Sequence, residues 1–210
     1  MIKILIILTS TTLFTSTVYA EKISADYSGT KIYRFKDGTI KKTRTYKNGK
    51  RDGLTIKYNR KGVKIRIKMY KNGKLDGIKN SYRSNGILWR QQTYQNGKRN
   101  GNTLVYHKDG KTIRKTTPYT NGKIHGIVKK VYSNGTVAYR KCYIRGKKQA
   151  GLLICSNQKG IETITHYHKN GKPSLIYQVT NGKRHGFYRR YDKQGKLTKT
   201  KQYDNGSRLK

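Results

Sequence analysis

The residues of this chain that could do chemistry are basic, and they recur on a fixed spacing. Lys50-Arg51, Lys74, Lys98-Arg99, Lys123 and Lys183-Arg184 each follow an Asn-Gly dipeptide. A second set, Lys64, Arg66 and Lys68, alternates with Val63, Ile65, Ile67 and Met69. Rows of ammonium and guanidinium groups attract anions. Each one near an anionic surface is worth ~1 kcal/mol, so four to six together give ~4–6 kcal/mol of reversible binding. The chain holds 49 Lys and Arg against 9 acids, a formal net charge of +40. Internal pairing cannot neutralise that excess. It implies a polyanionic partner: an anionic lipid, a cell-envelope polymer or an acidic protein. Nucleic acid ranks last, because an exported chain meets it only outside the cytoplasm. The competing use of lysine is structural, as a guard on exposed strand edges.

Other chemistries lack their groups. Acid–base catalysis needs carboxylates that converge, and Asp37, Asp52, Asp76 and Asp109 all precede Gly, where turn formation explains them. His125 and His185 stand in the same phase before Gly126 and Gly186. They are five strands apart, ~24 Å at sheet spacing, which is too far for one metal ion. His166 and His168 could share a strand face, but two ligands make only a weak site. The histidines read as surface or turn residues. No serine sits in a nucleophile-elbow pattern and no glycine-rich phosphate loop opens a helix. The expectation is no enzyme, no metal and no cofactor. Cys142 and Cys155 flank a turn region. Antiparallel pairing there would set Tyr143 opposite Ile154 and Cys142 opposite Cys155, as a cross-strand disulfide; the alternative is two small buried thiols.

The elements that position these groups are set by a repeat. Tyr46-Lys-Asn-Gly-Lys50, with Gly53 three residues on, returns at Tyr70, Tyr94 and Tyr119, in degenerate form at Tyr143, then at Val179 and Tyr203. A period in this range marks a repeat architecture. A shorter signal, Tyr-x-x-x-Gly, falls halfway, as in Tyr58 to Gly62 and Tyr82 to Gly86. Each half-repeat is one strand plus one turn, because Asn-Gly and Asp-Gly are the strongest short hairpin signals. In Val63 to Met69 the apolar residues are odd and the bases even, so one face of that strand is apolar and the other cationic. No apolar stripe of helical period follows residue 21. Hydrophobic residues are 33% and include 18 Tyr, too few for a thick core. The expected fold is all-β: an elongated meander of antiparallel β-hairpins in one twisted, single-layer sheet. About 14 strands would span roughly 65 Å, with the Tyr-bearing face partly enclosed by curl.

Two irregularities remain. From Tyr143 to Val179 the step is three half-repeats instead of two. One added strand in a meander would move every later long turn to the opposite edge. The Asn-Gly-Lys turns before residue 150 should then line one edge and that of residues 180–185 the other. The N-terminus carries Lys3, the apolar run Ile4 to Leu8, and Val18-Tyr19-Ala20 before Glu21. That is the pattern of a signal peptide over 1–20. The run rich in Ser and Thr from Thr9 to Thr17 is too polar for a membrane anchor, and no Cys follows to carry a lipid. Residues 21–33 would cap the repeats at 34–207, leaving a tail at 208–210. Export would place the protein in the periplasm, the cell envelope or the medium.

The phrase Tyr-x-Asn-Gly-Lys-x-x-Gly, alternating with Tyr-x-x-x-Gly, resembles the MORN repeat in its bacterial variant. The chain keeps the Asn-Gly-Lys-x-x-Gly core and the tyrosines over roughly residues 34–207. The resemblance implies a meander of β-hairpins. Bacterial proteins of this variant are often labelled YwqK-type antitoxins, and eukaryotic MORN proteins are associated with membranes, phosphoinositides and scaffolding. Two readings follow. The first is a non-enzymatic scaffold that binds an anionic surface or acidic partner through arrayed Lys and Arg. The second is an antitoxin-like or immunity-like protein that binds a partner protein along its sheet.

Overall fold

A computed structural model describes residues 23–152, Cys155 and residues 160–210. The expected export segment, residues 1–20, lies outside the described residues. Among the described residues the structure is nearly all strand and turn. In chain order the strands are β1 (Gly29–Arg34), β2 (Ile40–Lys47), β3 (Lys50–Tyr58), β4 (Lys64–Lys71), β5 (Lys74–Tyr82) and β6 (Leu88–Gln95). Then come β7 (Lys98–Tyr106), β8 (Ile113–Thr120), β9 (Lys123–Ile124), β10 (Gly126–Val131), β11 (Val137–Ile144) and β12 (Lys147–Lys148). The last five are β13 (Ile161–Tyr167), β14 (Pro173–Thr180), β15 (Lys183–Tyr191), β16 (Leu197–Asp204) and β17 (Ser207–Arg208). All pairs are antiparallel and join strands that follow one another in the chain, except that β10 pairs β8 past the two-residue β9, so the fold is the expected hairpin meander, and it does not close into a barrel.

At Asn48, Asn72, Asn96, Asn121, Asn181 and Asn205 the Asn-Gly pair makes the hairpin because both turn residues take positive φ. Asn48 and Gly49 stand at 48° and 68°, and Asn72 and Gly73 at 49° and 81°. That is the mirror-image turn whose twist matches the strands. Each such turn is also tied to the previous repeat: the Gly73 N–H donates to Arg51 O, Gly97 to Leu75 O and Gly122 to Arg99 O, each at 2.7 Å.

A second device recurs just after each of these turns. Arg44 pairs with Thr55 but Tyr46 with Arg51, so Asp52, Gly53 and Leu54 together face Thr45. The same two-residue bulge returns in β5 at Gly77 and in β7 at Gly101. Such bulges bend and twist a strand, and a shift of two leaves every side chain on its original face. Asp52 and Asp76 are therefore not turn residues, as their Asp-Gly context suggested. Their carboxylates accept the backbone N–H of Asn72 and Asn96 in the next repeat, each at 3.0 Å. Gly77 has φ +94°, and a Cβ there would lie 3.2 Å from Met69 Cγ. Gly77→Ala should cost about 1–3 kcal/mol, read as a lower urea midpoint; an unchanged midpoint would show that the bulge relaxes freely.

The expectation of one continuous sheet is corrected. The backbone ladder of β1 to β12 ends there, and β13 to β17 form a second sheet of five strands. The expected switch of turns between edges is also overturned. Tyr-x-x-x-Gly turns touch side by side: Asn59 Nδ2 donates to Ser84 O at 3.0 Å and His107 Nε2 to Val131 O at 3.2 Å. The turn at residues 167–171 joins the same row, through Asn134 Nδ2 to Lys169 O at 2.6 Å and His168 Nε2 to Tyr191 O at 3.0 Å. The turns at Asn48, Asn72, Asn96, Asn121 and Asn181, including that of residues 180–185, therefore share the other edge. The physical reason is parity. β12 stops at Lys148 and β13 starts at Ile161, and together they take the place of a single strand.

Cys142 and Cys155 are bonded, with Cα atoms 5.9 Å apart. The expected register is not the one that joins them. Tyr143 pairs with Lys148, and the Gln149 N–H donates to Cys142 O at 2.9 Å. Residue 149, not Cys155, faces Cys142. Cys155 reaches it from a turn in which its own N–H donates to Leu152 O at 2.9 Å. Ile154, the other half of the expected register, lies outside the described residues. Around the bond, Cys142 and Val179 are only 1% and 2% exposed, and Leu152 N–H donates to the Glu162 carboxylate at 2.7 Å. This is the plug that joins the two sheets.

Candidate anion-binding face

Strand register sorts the expected basic residues into two groups. Neighbours along a strand point to opposite faces, so each Lys-Arg pair is split. Lys50, Lys74, Lys98, Lys123 and Lys183 are exposed along the Asn-Gly edge. There Lys50 pairs with Lys47 and Lys74 with Lys71. The arginines turn to the tyrosine face and stack on the next repeat. Arg51 lies 4.2 Å from the Tyr70 ring centre, Arg99 4.1 Å from Tyr119 and Arg184 5.2 Å from Tyr203. Arg99 and Arg184 also donate to those hydroxyls, at 2.6 and 3.1 Å. Leu75 and Ile124 hold the same register position elsewhere. These arginines are thus inter-repeat packers as well as charges, a double role that residue type alone did not reveal.

Lys64, Arg66 and Lys68 share the face of Tyr70, since all are even-numbered along β4. Register extends this face across the sheet. Arg66 and Lys68 pair with Lys57 and Thr55 on one side and with Ser81 and Lys79 on the other. Beyond lie Arg90, Lys115, Lys130 and Lys141. The cationic face is the covered one. Tyr46 and Tyr70 are 7% and 6% exposed, and the small residues Thr55, Ser81 and Thr103 between the long ones are buried. The opposite face leaves Ile32, Leu54, Met69, Ile78 and Ile127 exposed.

The face continues across the break between the sheets. Tyr139, His166, Tyr177, Tyr188 and Tyr203 form a file of rings with centres 5.9–6.3 Å apart. The first four line a hollow of about 710 Å³ that also takes in Lys130, Lys141 and Arg190. His166 departs from the surface role expected of it. It is half-buried in this file, its Nδ1 meets no partner, and burial followed by Lys141 and Lys148 holds its pKa below the usual histidine range. His125 is a connector: its Nδ1 accepts the Arg145 N–H at 3.4 Å. No cluster of three or more metal-ligating side chains occurs among the described residues.

Electrostatically the face carries a large excess of cations over carboxylates. Asp204 lies 3.1 Å from His185 Nδ1, an ion pair only when that histidine is protonated. Asp37, Asp109 and Asp192 instead accept backbone N–H groups within their own turns. Burial first, then neighbouring cations, push three lysines below the ordinary lysine range. Lys42 feels Arg44 and Lys41, Lys79 feels Lys68 and Arg66, and Lys141 feels Lys148 and Lys115. The unfolded chain then binds more protons than the folded one between these lowered values and the ordinary lysine value of ~10.4. Stability should therefore rise with pH through that window. Above about pH 10 it should turn down, because burial raises the pKa of Tyr177 and the folded state resists its ionisation. Thermal melts from neutral pH to pH 10.5 check this, and a monotonic fall would contradict it.

No protein-family model matches the chain, and comparison with curated proteins finds no match. The disulfide is a bond that persists in oxidising surroundings, outside the reducing cytosol.

Proposed function

We propose that the protein is an exported, non-enzymatic repeat scaffold that binds a polyanion. Its ligand is an anionic lipid or cell-envelope polymer, or an acidic partner protein. The carrying observation is the tyrosine face, where Lys and Arg are aligned by register and six of them line one hollow with no carboxylate. Rings stacked against Arg51, Arg99 and Arg184 hold those charges in place, so less ordering is left for binding. The turn lysines add a second row on the Asn-Gly edge, and several weak contacts on one rigid frame sum to useful avidity. The carboxylates support a non-catalytic role, since Asp37, Asp52, Asp76 and Asp109 are each spent on backbone N–H groups. The disulfide and the N-terminal pattern favour the periplasm, the envelope or the medium.

A second reading draws on the other face. Leu54, Met69 and Ile78 make an exposed apolar row, which suits the docking of a partner protein along the sheet in the antitoxin-like or immunity-like manner. A pull-down from the envelope fraction, washed at graded salt, separates the two. Loss of the captured material at high salt supports the first reading, and one protein retained at high salt supports the second.

A further inference from the structure

The cation array is uneven, and its densest part has a floor. Register places Thr55 between Arg44 and Lys68 in one row across β2, β3 and β4. Two residues further along the strands, Lys57 stands between Lys42 and Arg66. On the other side, Arg51 leans in from the turn. A short side chain is thus ringed by six long cations around a hollow of about 90 Å³, with Tyr70 as its remaining wall. No carboxylate lines it.

Two observations make this more than a crowded surface. Thr55 Oγ1 and Arg44 Nε are buried and have no hydrogen-bond partner. A buried polar group without a partner is costly, and both of these can donate to an anion. The cations are also fixed beforehand. Arg44 Nη1 donates to the hydroxyls of Tyr33 and Tyr46 at 3.4 and 3.5 Å. Lys42 lies 4.3 Å from the Tyr33 ring centre and Arg51 4.2 Å from that of Tyr70.

We propose that the hollow over Thr55 binds a compact polyvalent oxyanion with consecutive phosphate groups. The hollow holds about three waters' worth of space, room for one tetrahedral group against Thr55, Arg44 and Lys68. The second row of cations is ~7 Å away along the strands, so the anion must carry further charge to reach Lys57 and Arg66. The later repeats do not rebuild the arrangement. Thr103 is flanked by Gln92 and Thr117, and Lys79 itself fills the corresponding place in β5. The site therefore belongs to the first repeats, which turns a general attraction into one stoichiometric address.

This inference rests on the polyanion reading of the same face, and the test separates the two. The purified chain is titrated with sodium tripolyphosphate by calorimetry at constant ionic strength of about 0.15 M, and with orthophosphate as comparison. One tight site per chain is expected, with orthophosphate at least tenfold weaker. Thr55→Val keeps the shape and removes only an unpartnered hydroxyl, so it should fold as well as the parent yet bind about tenfold more weakly. Arg44→Gln with Lys68→Gln should lose the site, while Lys130→Gln with Lys199→Gln should retain it. Many equivalent weak sites, or equal losses in both double variants, would overturn the proposal even where the chain still binds phosphatidylglycerol vesicles. One-to-one binding sensitive to Thr55 supports it even where vesicles are not bound and the surface reading fails. Displacement of the chain from vesicles by tripolyphosphate would place a surface phosphate and the soluble anion in the same hollow.

Discussion

Raising the salt from about 50 to about 200 mM is expected to weaken binding of this protein to an anionic polymer by on the order of 10³-fold, the loss seen when six to ten phosphate contacts each release a counterion. The contacts are supplied by the tyrosine face and the turn edge, where Lys50, Lys74, Lys98 and Lys123 are exposed. Their charges are not committed elsewhere, because Asp52 and Asp76 hold backbone N–H groups at 3.0 Å. The slope of log affinity against log salt counts the cations engaged. Replacing Lys64, Arg66 and Lys68 by Gln should reduce that slope by roughly three, at about 0.9 per contact. A slope near zero in the parent chain would sink the electrostatic reading and leave the apolar row as the binding face.

Opening the disulfide should have the second-largest effect. Cys142 and Cys155 close a loop of sequence separation 13, and a loop of this size contributes about 3 kcal/mol through the unfolded chain. The loss falls on the junction, because no backbone ladder joins β11 or β12 to β13. Other contacts across the junction among the described residues are local and include Asn134 Nδ2 to Lys169 O at 2.6 Å, Leu152 N–H to the Glu162 carboxylate at 2.7 Å, Tyr132 Oη to Tyr167 O at 3.4 Å, Tyr177 Oη to Ala150 O at 3.3 Å, and the ring pair Tyr139–His166. In urea with a reductant, the five-stranded sheet should therefore unfold at lower denaturant than the larger one, giving two transitions where the oxidised chain gives one. A Cys142→Ser, Cys155→Ser chain should behave as the reduced protein does. One unshifted transition in both would mean that ring packing, not the bond, couples the sheets.

Local rules were legible in the sequence and long-range ones were not. Asn48-Gly49 and its copies announce hairpins because Asn and Gly accept adjacent positive φ values most readily. Strand alternation likewise put Lys64, Arg66 and Lys68 on one face. The count of strands was close: fourteen have six or more residues, and β9, β12 and β17 are two-residue fragments. The roles that were missed all depend on residues of another strand or turn. Asp52 looks like half of an Asp-Gly turn until Asn72 is seen above it. Arg51 looks like a second edge charge until Tyr70 arrives beneath it. His166 gives no sign in its own strand of the rings that enclose it. One signal was available for these cases: Asp52, Asp76, Asn100 and His125 occupy one phase of the repeat, and a polar acceptor held at a single phase points to a shared bonding job. The break between sheets left only its length in the sequence, and length alone could not distinguish an added strand from a divided one.

The stitching of one turn to the next gives the molecule a mechanical character. Gly73, Gly97, Gly122 and Gly146 each add a bond of 2.7 Å to the ladder that joins a hairpin to the one before it, and the hydrogen bonds of an antiparallel ladder run perpendicular to the strands, along a pull in the stacking direction. Tension applied between the chain ends would meet these bonds one hairpin after another, not all together. Each released repeat of about 24 residues would lengthen the chain by ~80 Å, a regular staircase under a single-molecule stretch. The irregular step would be the junction, where no ladder resists separation but the Cys142–Cys155 bond withholds its own loop from the extension. A protein fixed at one end to an envelope surface would then yield gradually under drag, and would keep most of its cation rows folded while it did so.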